Sequence, residues 1–195
     1  MSFRRIRGDG HSSEGAGLTA AEWLAEDPLI LDTETTGLGP TDEVVQVAAV
    51  DVWGETVLNT LVRPSRTIPP DATRVHGIQD VHVLDAPTGA EVLAELEPLL
   101  RNRSLCVYNA AFDLRLLRQT ASTWRVRFLP PPAHCVMRLF ARFVGEWNDR
   151  YGDYRWHSLS AAAERCRLGA FQGHDALADA RMTLRVLRHM AGQDA

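Results

Sequence analysis

Apolar residues follow two periods along this chain, and the switch between them lays out the elements. Leu29-Ile30-Leu31 is a short apolar run behind Pro28, and it reads as a buried strand over Leu29–Thr33. The valine-rich stretch Glu43–Trp53 reads as a second strand, Gly54-Glu55 as a turn, and Thr56–Val62 as a third strand. These three predict an antiparallel meander. Beyond them the period becomes helical. Thr88–Leu100 and Ala110–Thr120 read as helices on either side of a short buried strand, Leu105–Tyr108. Three prolines from Pro130 break the pattern, His134–Met137 reads as a last strand, and a helix is expected from Arg138. Leu159–Arg165 and Asp175–Met190 read as further helices. At the other end, Thr19 is placed to cap a short helix that Pro28 closes. Residues 1–17 are Gly- and Ser-rich and aperiodic, and read as a flexible tail; Ile68 to Asp71 reads as a loop. Strands first, then strands alternating with helices, predict an α/β fold with a mixed sheet in one domain over residues 18–195.

Composition narrows this picture only a little. Hydrophobic residues make up 45% of 195, ordinary for a globular chain with a real core. No apolar run approaches the ~20 residues of a membrane span, and no hydrophobic stretch follows the charged N-terminus as a secretory signal would require. Cys106, Cys135 and Cys166 are odd in number and widely spaced, so they read as thiols of a reducing cytoplasm. The net charge of -4 conceals an asymmetry: residues 1–100 hold 6 Arg against 17 acids, residues 101–195 hold 15 Arg against 8. An acidic half beside a basic half suits a polyanion bound next to an acidic site, although solvated helix faces account for such a bias equally well. All 21 basic residues are Arg, which we ascribe to coding bias.

The candidate chemistry lies in acids that sit on apolar faces. Strand side chains alternate, so Asp32 and Glu34 share the side of Ile30. On an ideal helix of ~100° per residue, Arg181, Arg185 and Arg188 fall in one sector at about 20° to 80° from Leu177. Asp179 falls at about 200°, in the middle of the opposite, apolar sector. Asp113 likewise falls between Leu116 and Leu117. One inward Asp has a bland explanation in a cap or a buried hydrogen bond. Four inward carboxylates without a basic neighbour call for a counter-charge, since each costs several kcal/mol to bury unpaired. Oxygen-only donors favour Mg²⁺ or Mn²⁺ over zinc, and acidic Mg²⁺ clusters commonly handle phosphates. Asp175 is a good N-cap, which leaves His174 on the loop before the last helix. From there an imidazole can take a proton from water near neutral pH. Residues Asn148–His157 are aromatic and basic; they read as a base-stacking surface or, by slight preference, as an ordered surface loop.

Three ordered motifs carry a resemblance to the DEDDh 3′→5′ exonucleases, the group containing the proofreading subunits of bacterial replicative polymerases. They are Asp32-Thr-Glu34-Thr-Thr-Gly37, Asn109-Ala-Ala-Phe112-Asp113 and His174-Asp-Ala-Leu-Ala-Asp179, with Arg74-Val-His76-Gly-Ile78 between the first two. The sister group has Tyr four residues before the last Asp, where this chain has Asp175. The resemblance covers residues 28 to about 190. It implies a ribonuclease-H-like fold with a five-stranded mixed sheet and helices on both faces. It implies two Mg²⁺ or Mn²⁺ ions, held by Asp32, Glu34 and Asp179 with Asp113 acting through water, and His174 as the base. Leu38 corresponds to a residue that wedges between the last two bases, or is simply a turn leucine. Thr35 and the Thr36 backbone correspond to contacts with the terminal 3′-hydroxyl, and Val75 and His76 to the strand path; Asn109 and Phe112 belong to the second motif. Tyr108 and Cys135 depart from the His and Asp of many members.

The implied activity is release of nucleoside 5′-monophosphates from 3′ ends, with DNA, single-stranded or frayed, as first substrate. RNA 3′-end trimming is the alternative, since the motifs do not distinguish sugars. An inactive nucleic-acid-binding module is disfavoured by the intact acids and His174. A DNA polymerase or repair complex is a partner the resemblance leaves open; the end of the chain soon after the last helix favours a standalone enzyme. Oligomeric state is not legible.

Overall fold

The computed structural model describes residues 9–193. In chain order the first half holds α1 (Asp9–Ala25), β1 (Leu29–Thr35), β2 (Val44–Val50), β3 (Thr56–Leu61), α2 (Pro70–His76), α3 (Asp80–Val83) and α4 (Gly89–Leu99). The second holds β4 (Leu105–Val107), α5 (Ala110–Thr123), β5 (Ala133–Cys135), α6 (Val136–Val144), β6 (Trp147–Asn148), β7 (Asp153–Tyr154), α7 (Leu159–Arg165) and α8 (Ala176–Met190). The meander is present: β2 pairs antiparallel with β1 and β3. β4 joins β1 in parallel, and β5 joins β4 in parallel, so the sheet order is β3-β2-β1-β4-β5. This is the expected mixed five-stranded sheet.

β1 explains why both faces carry helices. Leu29 and Leu31 pack with Leu93 and Leu96 of α4 and Leu116 and Leu117 of α5. Ile30, one step out of phase, packs with Phe140 of α6 and Leu184 and Leu187 of α8, alongside Ala16 and Ala20 of α1. A strand buried on both sides reads as a continuous apolar run. Each of its three fully buried side chains contributes about 1.5–3 kcal/mol. A smaller cluster places Val45 against Ile68, Ala72 and Val83 around α2 and α3.

Several boundaries differ from expectation. α1 begins at Asp9, so residues 9–17 of the expected tail are helical, and Thr19 is interior, its hydroxyl donating back to Gly15 O at 2.9 Å. Packing overrides composition here: Ala16 and Ala20 are fully buried. Gly17 lies so close to the end of α8 that a Cβ would meet Met190 O at 2.8 Å. Residues 1–8 of that tail lie outside the described residues. β2 stops at Val50 because Asp51 turns the chain, accepting the N–H groups of Trp53 and Glu55 at 2.9 Å. The loop expected from Ile68 yields to α2, which starts at Pro70, where a missing N–H costs nothing, and ends on Gly77 in the left-handed region (φ 76°). The last strand ends at Cys135, and α6 starts at Val136 rather than Arg138. Residues 147–154 hold a two-stranded hairpin.

Candidate active site

The site forms where β1 outlasts its parallel neighbour. β1 pairs with β4 only from Leu29 to Leu31, whereas it pairs with β2 as far as Thr35. Past Val107 the chain leaves the sheet and turns into α5. Asp32 to Thr35 therefore border a crevice at the carboxyl ends of parallel strands, the usual ligand position in α/β sheets. Asp32 and Glu34 point to the Ile30 side, and Thr33 to the other. Thr33 Oγ1 donates to Asp113 Oδ1 at 2.8 Å, joining β1 to the first turn of α5. Asp179 stands in the first turn of α8, whose N-cap Asp175 accepts from Ala178 N–H at 2.9 Å. Two of the four acids thus sit at helix N-termini, where the dipole partly offsets their charge.

That compensation is incomplete. Burial pushes Glu34 up to about 8, with Asp179, Asp113 and Asp175 adding to it. Burial pushes Asp113 up to about 7 despite the Thr33 hydrogen bond. Asp32 is held well above the usual carboxylate range by burial and then by Asp113, Asp179 and Glu34; Asp179 is raised by burial. Asp179 Oδ1 is buried without a hydrogen-bond partner. Among the described residues, no Arg lines the cavity. Ligand atoms of Glu34, His174 and Asp179 lie within 4.8 Å of one another, close enough to share one cation. An orphaned carboxylate oxygen among mutually repelling acids fits a hard divalent ion.

His174 is exposed on the turn before α8, as expected, with φ 68°. A non-glycine residue rarely adopts this left-handed conformation. Its backbone N–H donates to Asp179 Oδ2 at 3.2 Å, which ties the strained turn to the acid.

All twelve residues expected in the site line one cavity of about 540 Å³: the four acids, His174, Thr35, Thr36, Leu38, Val75, His76, Asn109 and Phe112. Leu38 is 77% exposed at the tip of the β1–β2 connection, and Val75 is 54% exposed on α2. His76 Nδ1 accepts Ile78 N–H at 3.0 Å, so Nε2 carries the proton and donates to Thr35 O at 3.2 Å. Burial lowers the His76 pKa and favours this neutral form. Tyr108 and Leu159 also line it.

The residues that position this set were not evident in the sequence. Gln46, opposite Glu34 on β2, donates to Asp175 Oδ2 at 3.1 Å and accepts Ala176 N–H at 3.2 Å, locking the start of α8 against the sheet. Asp42 accepts from Thr36 Oγ1 at 2.9 Å and from Gly39 N–H at 2.6 Å. A Cβ at Gly37 would lie 2.7 Å from Asp42 Oδ2, so a side chain there would displace the Asp42 carboxylate. Arg115 and Gln119 of α5 donate to Gly39 O, both at 3.1 Å, and hold the Leu38 loop over the cavity. The valine-rich run masked Gln46, and nothing local ties Asp42 to Thr36.

A family model described as Exonuclease (RNase_T) matches residues 29–187. The chain is 39% identical over 179 residues to the uncharacterized exonuclease CP81 of Escherichia phage 186, covering 88% of this chain and 92% of that one. It is 46% identical over 156 residues to a DNA polymerase III subunit epsilon-like protein of Rhodobacter capsulatus, covering 73% of this chain but only 21% of that relative's length. Exonuclease X in complex with 5′ overhanging duplex DNA superposes with a TM-score of 0.64 and 28% identity, over 84% of this chain and 90% of that one.

Proposed function

The chain belongs to the exonuclease (RNase_T) family as a DEDDh-type 3′→5′ exonuclease, and from that premise we propose that its substrate is DNA and that His174 is the base. The observation that carries the reading is the convergence of four carboxylates, with no Arg beside them among the described residues, in a cavity rimmed by exposed Leu38 and Val75. Asp32, Glu34 and Asp179, with Asp113 behind them, would hold two divalent ions, Mg²⁺ or Mn²⁺. When bound, such ions stabilise the charge that develops on the phosphate oxygens.

The chain's own residues do the rest. His174 takes a proton from the attacking water, whose oxygen bonds to phosphorus as the P–O3′ bond breaks. The leaving 3′-oxygen is protonated from solvent, and a nucleoside 5′-monophosphate departs. Leu38 and Phe112 present apolar surface to the terminal bases, and the Thr35–Thr36 segment faces the 3′-hydroxyl. Thr33 fixes the Asp113 rotamer through its 2.8 Å hydrogen bond, and Gln46 fixes the start of α8 and so the placement of Asp179.

DNA is favoured by the exonuclease X complex and by the polymerase relative's name. The test uses 5′-labelled DNA and RNA strands, each free or blocked at the 3′ end, with Mn²⁺ or EDTA. Stepwise shortening of free-ended DNA, abolished by EDTA, is expected. Shortening that survives EDTA, or that ignores the 3′ block, removes the metal and polarity assignments; faster loss of RNA reverses the substrate.

A further inference from the structure

The β6–β7 hairpin has no part in the chemistry above, yet it exposes large rings. Trp147, Tyr151 and Trp156 are 48%, 71% and 57% exposed. Grouped apolar surface of this kind marks an interaction site. The hairpin is rigidly held. Arg155 N–H closes it on Glu146 O at 2.7 Å, and the Trp147 and Tyr154 rings meet edge-on, with centroids 5.3 Å apart. The Glu146 carboxylate is clamped at 2.6 Å by Arg165 of α7, the helix whose first residue, Leu159, lines the catalytic cavity. Tyr108, on the cavity wall, donates its hydroxyl to His157 O at 2.9 Å, and the buried His157 ring stands edge-on to Phe140. Trp156 therefore adjoins the cavity wall. Only His157 and Ser158 separate it from Leu159, a Cα–Cα reach of at most about 11 Å.

The chemistry of the hairpin narrows its ligand. A cavity of about 550 Å³ lies against it, lined by Asn148, Tyr151, Asp153, Tyr154, Arg155 and Trp156. Arg150 and Arg155 are balanced by Asp149 and Asp153, so the surface is aromatic and nearly neutral rather than basic. Asp153 Oδ1 accepts Tyr154 N–H at 2.8 Å. Among the described residues neither Arg is in an ion pair, and the Arg150 guanidinium lies over the Tyr151 ring at 5.4 Å. Rings and guanidinium planes without a dense positive field suit unpaired bases, which stack on such planes whatever their sequence.

We infer that the β6–β7 hairpin is a second binding subsite, on which unpaired bases of the substrate strand stack on the 5′ side of the nucleotide held in the catalytic cavity. This rests on the proposed nuclease reading, because that reading places the 3′ end in the cavity, whose wall includes Leu159 next along the chain from the hairpin. It explains why Trp156 and Tyr151 face solvent while His157, between Trp156 and the cavity, is buried.

The test compares fluorescein-labelled dT3 and dT12 on wild type and on Tyr151→Ala/Trp156→Ala. Anisotropy in EDTA reads binding without cleavage, and turnover with Mn²⁺ reads KM. The variant should bind dT12 about tenfold or more weakly, from stacking losses of this order per base. The ratio of KM for dT3 to KM for dT12 should fall by a similar factor. Tyr151→Phe/Trp156→Phe, which keeps both rings, should restore both readouts. Equal weakening for the two lengths, or dT12 binding unchanged by the Ala pair, overturns the subsite. If wild type binds dT12 through the hairpin but leaves 3′ ends intact, the nuclease reading fails and the subsite stands. If wild type binds no dT12, the subsite fails too.

Discussion

Glu34 and Glu43 stand near the two ends of the connection between β1 and β2, both buried, with opposite surroundings. Glu43 has no exposed surface, yet it accepts the Ser65 hydroxyl at 2.6 Å, Ser65 N–H at 3.2 Å and Trp124 Nε1–H at 3.1 Å. Arg66 approaches it at 3.8 Å. Glu34 has no such donor among the described residues and faces three further acids. Burial alone therefore does not distinguish a functional acid from a structural one. The distinguishing feature is whether the protein itself supplies the compensation, because an uncompensated buried charge is retained only where something outside the chain supplies it.

The contrast breaks most visibly in catalysis. His174→Ala should lower turnover by ~10²–10⁴, the range of a lost general base. Its melting temperature should stay close to wild type, because the side chain is exposed. Rapid-quench turnover at neutral pH checks this, and near wild-type activity removes His174 from the mechanism.

Metal binding should separate the two regions next. A cation that binds only the folded state at a hundredfold excess over Kd adds about 2.7 kcal/mol, worth roughly 2–4 °C per kcal/mol for a chain of this size. Wild type should therefore melt clearly higher with saturating Mn²⁺ than in EDTA. Asp113→Asn in EDTA should melt at the wild-type temperature or above, since it removes one repelling charge and keeps an acceptor for Thr33, while catalysis collapses. An unmoved wild type together with a destabilised Asn variant would make these carboxylates structural.

Glu43→Ala should behave in the opposite way. It strands the Ser65 and Trp124 donors, at about 1–3 kcal/mol, and the loss should be the same with and without Mn²⁺. A loss confined to the metal-bound protein would tie Glu43 to the site.

The same acids set a pH slope. Folded Glu34 and Asp113 hold protons up to about 8 and 7, against ordinary values of 4.5 and 3.8. Between pH 5 and 8 the metal-free folded state thus binds more protons than the unfolded chain, and its stability falls as pH rises. Melts at pH 5, 6.5 and 8 should show this decline without metal and lose it with Mn²⁺. A metal-free curve that rises with pH contradicts the uncompensated-acid account.

Much of the candidate set was legible because its members break a local rule. Asp32 and Glu34 violate the two-residue period of a strand, and Asp113 and Asp179 the 3.6-residue period of their helices. A violation is readable from neighbours in the chain alone. The cap at Asp175 and the loop position of His174 were legible for the same reason. What decides whether those acids act together was not. Thr33 meets Asp113, 80 residues further along the chain, and Gln46 meets the start of α8, 130 residues further along. The Arg side chains of α8 lie on its outer face as their sector predicts, but which acceptors they reach, Thr56 Oγ1, Leu168 O and Val52 O, the helix period does not tell. The helical start of α1 likewise depends on a close approach to α8 that its Gly- and Ser-rich composition does not signal. Periodicity records which side of its own element a residue occupies. Which elements then face each other, and whether a buried charge finds a donor, depends on long-range contacts that form only when the sheet and its helices pack.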